Sequence, residues 1–233
     1  IMPAIKLMDK TLYRAAADGH LVLTVNERLS RYLHKQFDLE QQRRGLSAWL
    51  RPKILTLSVW LSRCQPNLPG MPAFLNHAQL QRVWEMIIEE DVEHTGNHLL
   101  QTPQTGRRAL QAHHLLVSYL ANFDAQLAAD DHRAFLRWRS AWMKQAKRNA
   151  WHDPAELPLL VSSALIAGHL RLPDKIFLAG FDELAPDLQQ LCSAMASRGT
   201  ALESWQPASS PTDASRLAED DPFTEVSLCA RWI

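Results

Sequence analysis

Apolar positions along the chain follow two different spacings, and the switch between them marks the elements. Leu21 to Val25 (LVLTV) is a short, partly β-branched apolar run after Asp18-Gly19, which predicts a buried strand. Leu29, Leu33 and Phe37 then recur four apart, with Arg28, Arg31 and Lys35 on another face. That spacing predicts an amphipathic helix ending near Gly45, with Asn26 as its cap and Glu27 in its first turn. Lys53 to Leu57 predicts a second strand, and Ser58 is placed to cap a short helix through Leu61. Pro66, Pro69, Gly70 and Pro72 break the pattern.

From 76 to 151 the spacing is helical throughout. Asn76 with Gln79 has the form of a capping box, and Leu80, Trp84, Ile87 and Ile88 follow on one face. Thr102-Pro103 reads as a cap and a first-turn proline. Ala109, Leu116, Leu120, Phe123 and Leu127 would line one side of a long helix. Asp130 opens another helix, with Phe135, Trp138 and Trp142 on one side and Arg133, Arg137, Lys144 and Arg148 on the other. Leu157 to Leu170 reads as helix. Lys175 to Ala179 (KIFLA) is a continuous apolar run, as expected for a strand covered on both faces. Pro186 starts a helix closed by Gly199, and Thr200 to Trp205 reads as a strand. Residues 206–222 read as linker, and Phe223 opens a further helical pattern. Strand–helix alternation with short links predicts an α/β fold with a parallel sheet. The expected division is 1–75 and 152–205 for the α/β core, 76–151 for an all-helical insertion, and 206–233 for a linker and the start of a following segment.

Composition narrows the function. With 46% hydrophobic residues and eight Trp the chain is globular, and its 25 Lys/Arg balance its 25 Asp/Glu. No global field draws it to nucleic acid or membrane. The balance is uneven along the chain: residues 1–53 hold ten basic against five acidic residues, and 199–233 hold six acidic against two basic. Cys64, Cys192 and Cys229 are odd in number and far apart, which fits a reducing cytoplasm. No apolar run reaches membrane-spanning length. The chain opens on Ile1 and closes on Trp232-Ile233 within a helical pattern, and so reads as a piece of a longer protein.

The junction from Leu21 to Leu33 sits where an α/β nucleotide-binding domain carries its phosphate loop. It has neither glycine nor lysine. Thr24, Asn26, Glu27 and Arg28 occupy the turn instead, and Glu27 repels phosphate. A second junction follows KIFLA in GFDELAPDLQQL. This stretch resembles the Walker B region of UvrD-type, superfamily 1 helicases. On that resemblance Ala179 stands in place of the magnesium-binding Asp and Gly180 in place of the catalytic Glu. Phe181 matches the aromatic, Asp182 and Glu183 fall on the Gln-Asp that follows, and Pro186 matches the proline before the helix. Both ATP motifs thus lose their chemistry while the surrounding pattern persists.

The wider chain, over roughly residues 20–233, resembles the N-terminal region of the AddB-like, RecB-family "probable DNA repair protein" exonucleases. LVLTVNERLSRYL, ILTLSVWL, LNHAQLQRVWEMII, FLRWRSAWMKQAKRNAWHDPAELP, KIFLAGFDELAPDLQQL and DPFTEVSLCARWI carry the likeness. The resemblance implies a degenerate helicase-like region with a RecA-like (P-loop NTPase-like) sheet, preceding a PD-(D/E)xK nuclease. Pro173-Asp174 has no Asp-x-Lys or Glu-x-Lys after it and reads as a turn, so that nuclease would lie beyond Ile233.

The expected role is therefore a non-catalytic DNA-binding or scaffold domain, with no catalytic residue, cofactor or metal of its own. DNA is the expected partner, single-stranded or as a duplex end, together with the parent protein's nuclease part or a helicase subunit. Arg28, Arg31, Lys35, Arg133, Arg137, Lys144 and Arg148 are the candidate DNA contacts. Two alternatives are a protein-interaction scaffold without DNA binding and a small-molecule enzyme using Asp182 and Glu183 at the strand tips. The histidines are poorly spaced for metal: Gly96 interrupts Glu90, His94 and His98, and neighbouring His113 and His114 are expected to point apart.

Overall fold

The computed structural model of the chain describes residues 10–95, 101–121 and 130–206. Expectations for Gly96, His98, Phe123, Leu127, Cys229 and the segment from 207 onward lie outside them. The elements in order are α1 (Lys10–Ala17), β1 (Leu21–Thr24), α2 (Glu27–Arg43), β2 (Ile54–Thr56), α3 (Leu57–Cys64), β3 (Ala73–Phe74), α4 (His77–Thr95) and α5 (Thr102–Ser118). Then follow α6 (Asp130–Asn149), β4 (Trp151–His152), α7 (Leu157–Ile166), β5 (Lys175–Ala179), α8 (Pro186–Ser197) and β6 (Ala201–Trp205).

Four strands form one parallel sheet in the order β2-β1-β5-β6. Leu21 to Thr24 pair residue for residue with Ile176 to Ala179. Both strands of this central pair are buried on both faces, which explains their unbroken apolar runs. Leu21, Leu23, Ile176 and Leu178 point to a layer formed by α3, α7 and α8. Val22, Phe177 and Ala179 point the other way, onto Leu12, Tyr13 and Ala16 of α1 and Leu33 and Phe37 of α2. The result is an α/β domain with helices on both sides of a parallel sheet.

Several local expectations hold and several need correction. Asn26 caps α2 by accepting from Leu29 N at 2.9 Å, and Asn76 and Gln79 exchange reciprocal bonds of 2.9 Å. Helix α3 is capped by Thr56, not Ser58, because the strand ends one residue earlier than expected and Thr56 Oγ1 accepts from Val59 N at 3.2 Å. Thr102 lies inside α5 rather than capping it, and Gln101 before it makes no side-chain cap bond. That helix stops at Ser118, and Leu120 turns into the left-handed region at φ 51°, so Leu120 leaves the predicted face.

Helices α4, α5 and α6 share their own core, built on Trp84, Ile88, Leu110, Trp138 and Trp142. Trp84 stacks on Phe135 and Trp142 with ring centroids 6.3 Å apart in each case. The short parallel pair β3–β4 joins the chain just before α4 to the chain just after α6, which ties the ends of this helical part together. Asp187, buried in the first turn of α8, is hydrogen-bonded by Ser118 at the end of α5, which links the helical part to the sheet layers.

Truncating the central strand tests this layering. Leu23→Ala removes a fully buried side chain and is expected to cost about 2–5 kcal/mol in urea unfolding. Leu50→Ala, at a residue 92% exposed, is expected to stay within about 0.5 kcal/mol.

Candidate functional site

In an open α/β sheet, ligands bind beyond the carboxyl ends of the strands where the strand order reverses. Here the order reverses between β1 and β5, so both junctions singled out in the sequence meet at that point. Thr24 is fully buried. Its Oγ1 lies 3.1 Å from the Asn26 carbonyl and 3.3 Å from the Leu55 carbonyl, so its hydroxyl donates into the turn and faces no ligand. Asn26 uses its side chain as the helix cap. Glu27 pairs with Arg31 at 2.6 Å in solvent, an exposed ion pair of small energetic weight. Arg28 is exposed.

The gap between the strands is closed. Val25 N donates to the Ala179 carbonyl at 3.1 Å, which extends the β1–β5 pairing past the strand ends. Gly180 has φ 79° and donates its N–H to the Trp205 carbonyl at 3.0 Å. A Cβ at Gly180 would lie 2.6 Å from Leu29 Cδ2 and 3.2 Å from Val25 Cγ1. Apolar side chains therefore occupy the crevice above the strand tips. Ala179 is fully buried and offers no ligand atom, while Asp182 and Glu183 stand exposed beyond it. Among the described residues this edge has no loop of amides for phosphate and no carboxylate aimed inward.

The basic face of α6 is divided by its own contacts. Arg137 makes a two-pronged ion pair with Asp91 of α4, both distances 2.8 Å, and Trp138 Nε1 donates to the same carboxylate at 2.8 Å. The hydrogen bond from Arg137 holds the Asp91 carboxyl below its usual range. Arg133 pairs with Asp130. Arg137 thus ties α6 to α4 and Arg133 pairs within α6, so of the four-residue stripe Lys144 and Arg148 are the ones exposed with no ion pair among the described residues.

His113 and His114 do not point apart. Both reach Asp153, which is fully buried. His114 Nε2 stands 2.9 Å from Asp153 Oδ2 and His113 Nε2 3.8 Å from the same oxygen, while Oδ1 accepts from Ala155 N at 2.8 Å. Adjacent helical residues diverge by about 100°, yet one carboxylate set between them can meet both. His113 is packed between Trp84 and Trp142 with neither ring nitrogen hydrogen-bonded, and burial lowers its pKa from 6.5 to about 4. Asp153 draws that value up, whereas Arg139 and His114 lower it further. Among the described residues no group of three or more His, Cys, Asp or Glu is arranged to hold a metal ion. Burial raises the Cys64 thiol to about 11 and raises Cys192 as well, so neither is an activated nucleophile. No helix among the described residues is long and apolar enough to cross a membrane.

The chain matches no protein-family model and no curated protein. The fold and this edge of the sheet define an α/β domain whose usual ligand crevice is filled.

Two outcomes follow. Gly180→Ala is expected to destabilise by more than about 1 kcal/mol, because it adds the Leu29 clash to the left-handed strain. Gly45→Ala, at φ 78° with nothing within 4 Å of the added Cβ, carries the strain alone, and Leu29→Ala in the Gly180→Ala background recovers part of the loss. For His113 the folded value lies below the unfolded one, so the unfolded chain binds the extra proton between the two. Stability falls as pH drops from 6.5 toward 4, by up to about 3 kcal/mol, and His113→Leu flattens that slope in denaturation measured across the window.

Proposed function

We propose that this chain is a helicase-like unit of a DNA-repair exonuclease that holds DNA and does not hydrolyse ATP. The observation that carries the reading is the meeting of the two motif-like junctions on paired strands at one sheet edge, with Gly180 and Leu29 filling the space between them. On this reading the sheet is a RecA-like core and α4 to α6 are its helical insertion. Its partners are DNA and either the nuclease part of the parent protein or a helicase subunit, in a reducing cytoplasm where Cys64 and Cys192 stay free. Lys144 and Arg148 of α6 and Arg28 and Lys35 of α2 are the exposed cations left to meet phosphates.

The pairing of Arg133 and Arg137 within the fold favours a second reading, a protein-interaction scaffold that leaves DNA alone. The enzyme reading has little support, since Asp182 and Glu183 flank a filled crevice.

Fluorescence anisotropy with a labelled single strand and a forked duplex separates the two main readings. Binding is expected at 50 mM salt, falling steeply toward 200 mM, with ATP turnover at the level of the protein-free blank. Turnover abolished by Asp182→Ala or Glu183→Ala would remove the non-catalytic reading. Absence of binding to either DNA at 50 mM salt would leave the scaffold.

A further inference from the structure

The opposite edge of the sheet carries a charge pattern that the ATP-motif junctions do not explain. A cleft of about 850 Å³ opens beside the starts of β1 and β2, the end of α3 and the segment leading into β5. Three separate stretches bring four cations to it: Arg51 and Lys53 before β2, Arg63 in α3, and Arg171 before β5, with Asn67 and His169 beside them. Among the described residues no Asp or Glu lines it. A shallower depression of about 410 Å³ adjoins it through Arg51, which lines both, and adds Lys35, Arg31 and His34 from α2. His34 Nε2 lies 3.0 Å from the Ile54 carbonyl, so α2 is fastened to β2 and the two depressions keep their relation.

Lys35, Arg51, Lys53, Arg63 and Arg171 are exposed, and none makes an ion pair among the described residues. The one acid in this band, Asp38, accepts from Trp49 Nε1 at 2.8 Å. In a chain whose charges balance overall, five unpaired cations on one surface raise a local positive potential that a bound anion would relieve. Arg63 lies in the last turn of α3, where a cation suits the helix dipole. That account reaches neither Arg51 and Lys53 nor Arg171.

We infer that this band binds the phosphodiester backbone of single-stranded DNA, running from Lys35 over Arg51 to Arg63 and Arg171. The inference rests on the DNA-binding part of the proposal above, but assigns the larger share of it to a different surface from α6. Two open depressions share Arg51 in their walls, and cations set along both suit an extended polyanion rather than an enclosed small molecule. A recessed cleft also fits one backbone better than the rigid cylinder of a duplex. Trp60 lies in the wall only 7% exposed and is no stacking platform, so recognition is through phosphates and indifferent to base sequence.

The test uses a labelled oligothymidylate of about 20 nucleotides and titrations over a salt series. Replacing Arg51, Lys53, Arg63 and Arg171 together by Ala is expected to weaken binding at least tenfold and to reduce the log–log salt slope by about 3. Lys144→Ala with Arg148→Ala is expected to lower it by about 1. Circular dichroism and thermal melting check that the quadruple variant folds; if it does not, Arg51→Glu and Arg171→Glu made singly decide, each expected to weaken binding. Wild-type binding with an unchanged slope in the folded quadruple variant, or unchanged affinity in both single variants, overturns this inference and leaves DNA binding elsewhere on the chain. Equal binding of poly-glutamate with the same salt slope also overturns it, in favour of an acidic protein partner. No wild-type binding at 50 mM salt overturns both proposals.

Discussion

The pairing of Leu21–Thr24 with Ile176–Ala179 joins strands from opposite ends of the described chain, and every other feature is arranged around it. A parallel pair cannot be closed by a tight turn, so the intervening chain must leave the sheet and return. Closing so long a connection has an entropic cost that the local hydrogen bonds do not offset alone. Burial on both faces does so. Each residue of the pair faces either the α3, α7 and α8 layer or the α1 and α2 layer, and each layer is apolar where the strands meet it. The same pairing decides what the carboxyl edge can do. Because Val25 N bonds the Ala179 carbonyl and Leu29 sits over Gly180, the point where strand order reverses is sealed by backbone and side chain together.

The long connection is held in place by buried and half-buried carboxylates as well as by its own apolar core. Asp153 receives His114 and the Ala155 amide, Asp91 receives Arg137 and Trp138, and Asp187 receives Ser118. Each bridges segments distant in sequence, and each acceptor is satisfied where an unpaired one would be strongly destabilising. His113, like Tyr13 Oη, Trp84 Nε1 and Arg139 Nε, is an exception. It is buried among tryptophans with both nitrogens unbonded, and its lowered pKa is the consequence.

These differences explain what the sequence disclosed. LVLTV and KIFLA were legible because double-sided burial writes an uninterrupted apolar run, and Asn26 and Asn76 because capping is decided within three residues. Helix α1 (KTLYRAAA) has too few residues for a clear period, and β3 and β4 have two residues each, too short for any. The Arg133–Arg148 stripe was correctly placed on one face of α6, but its spacing could not show that Asp91 waits opposite Arg137. Likewise, nothing local to His113-His114 announces a carboxylate thirty-nine residues away from His114. The basic cleft draws its cations from three segments. Its only trace in the sequence is the excess of Lys and Arg in the first 53 residues.

Charge completes the contrast between the two edges of the sheet. At the carboxyl edge, Glu27 is paired with Arg31 while Asp182 and Glu183 stand exposed, and Leu29 covers Gly180 where a phosphate would need free amides. At the amino edge, Arg51, Lys53, Arg63 and Arg171 surround an open cleft with no acid in its lining among the described residues. Exposed charges about a Debye length of 8–10 Å apart or more are largely screened at physiological salt, so each edge acts as its own local field. On the proposed reading a polyanion is held at the amino edge rather than at the carboxyl ends of the strands. The neutral total of the chain conceals this polarity, because it averages two surfaces that the central strand pair holds apart.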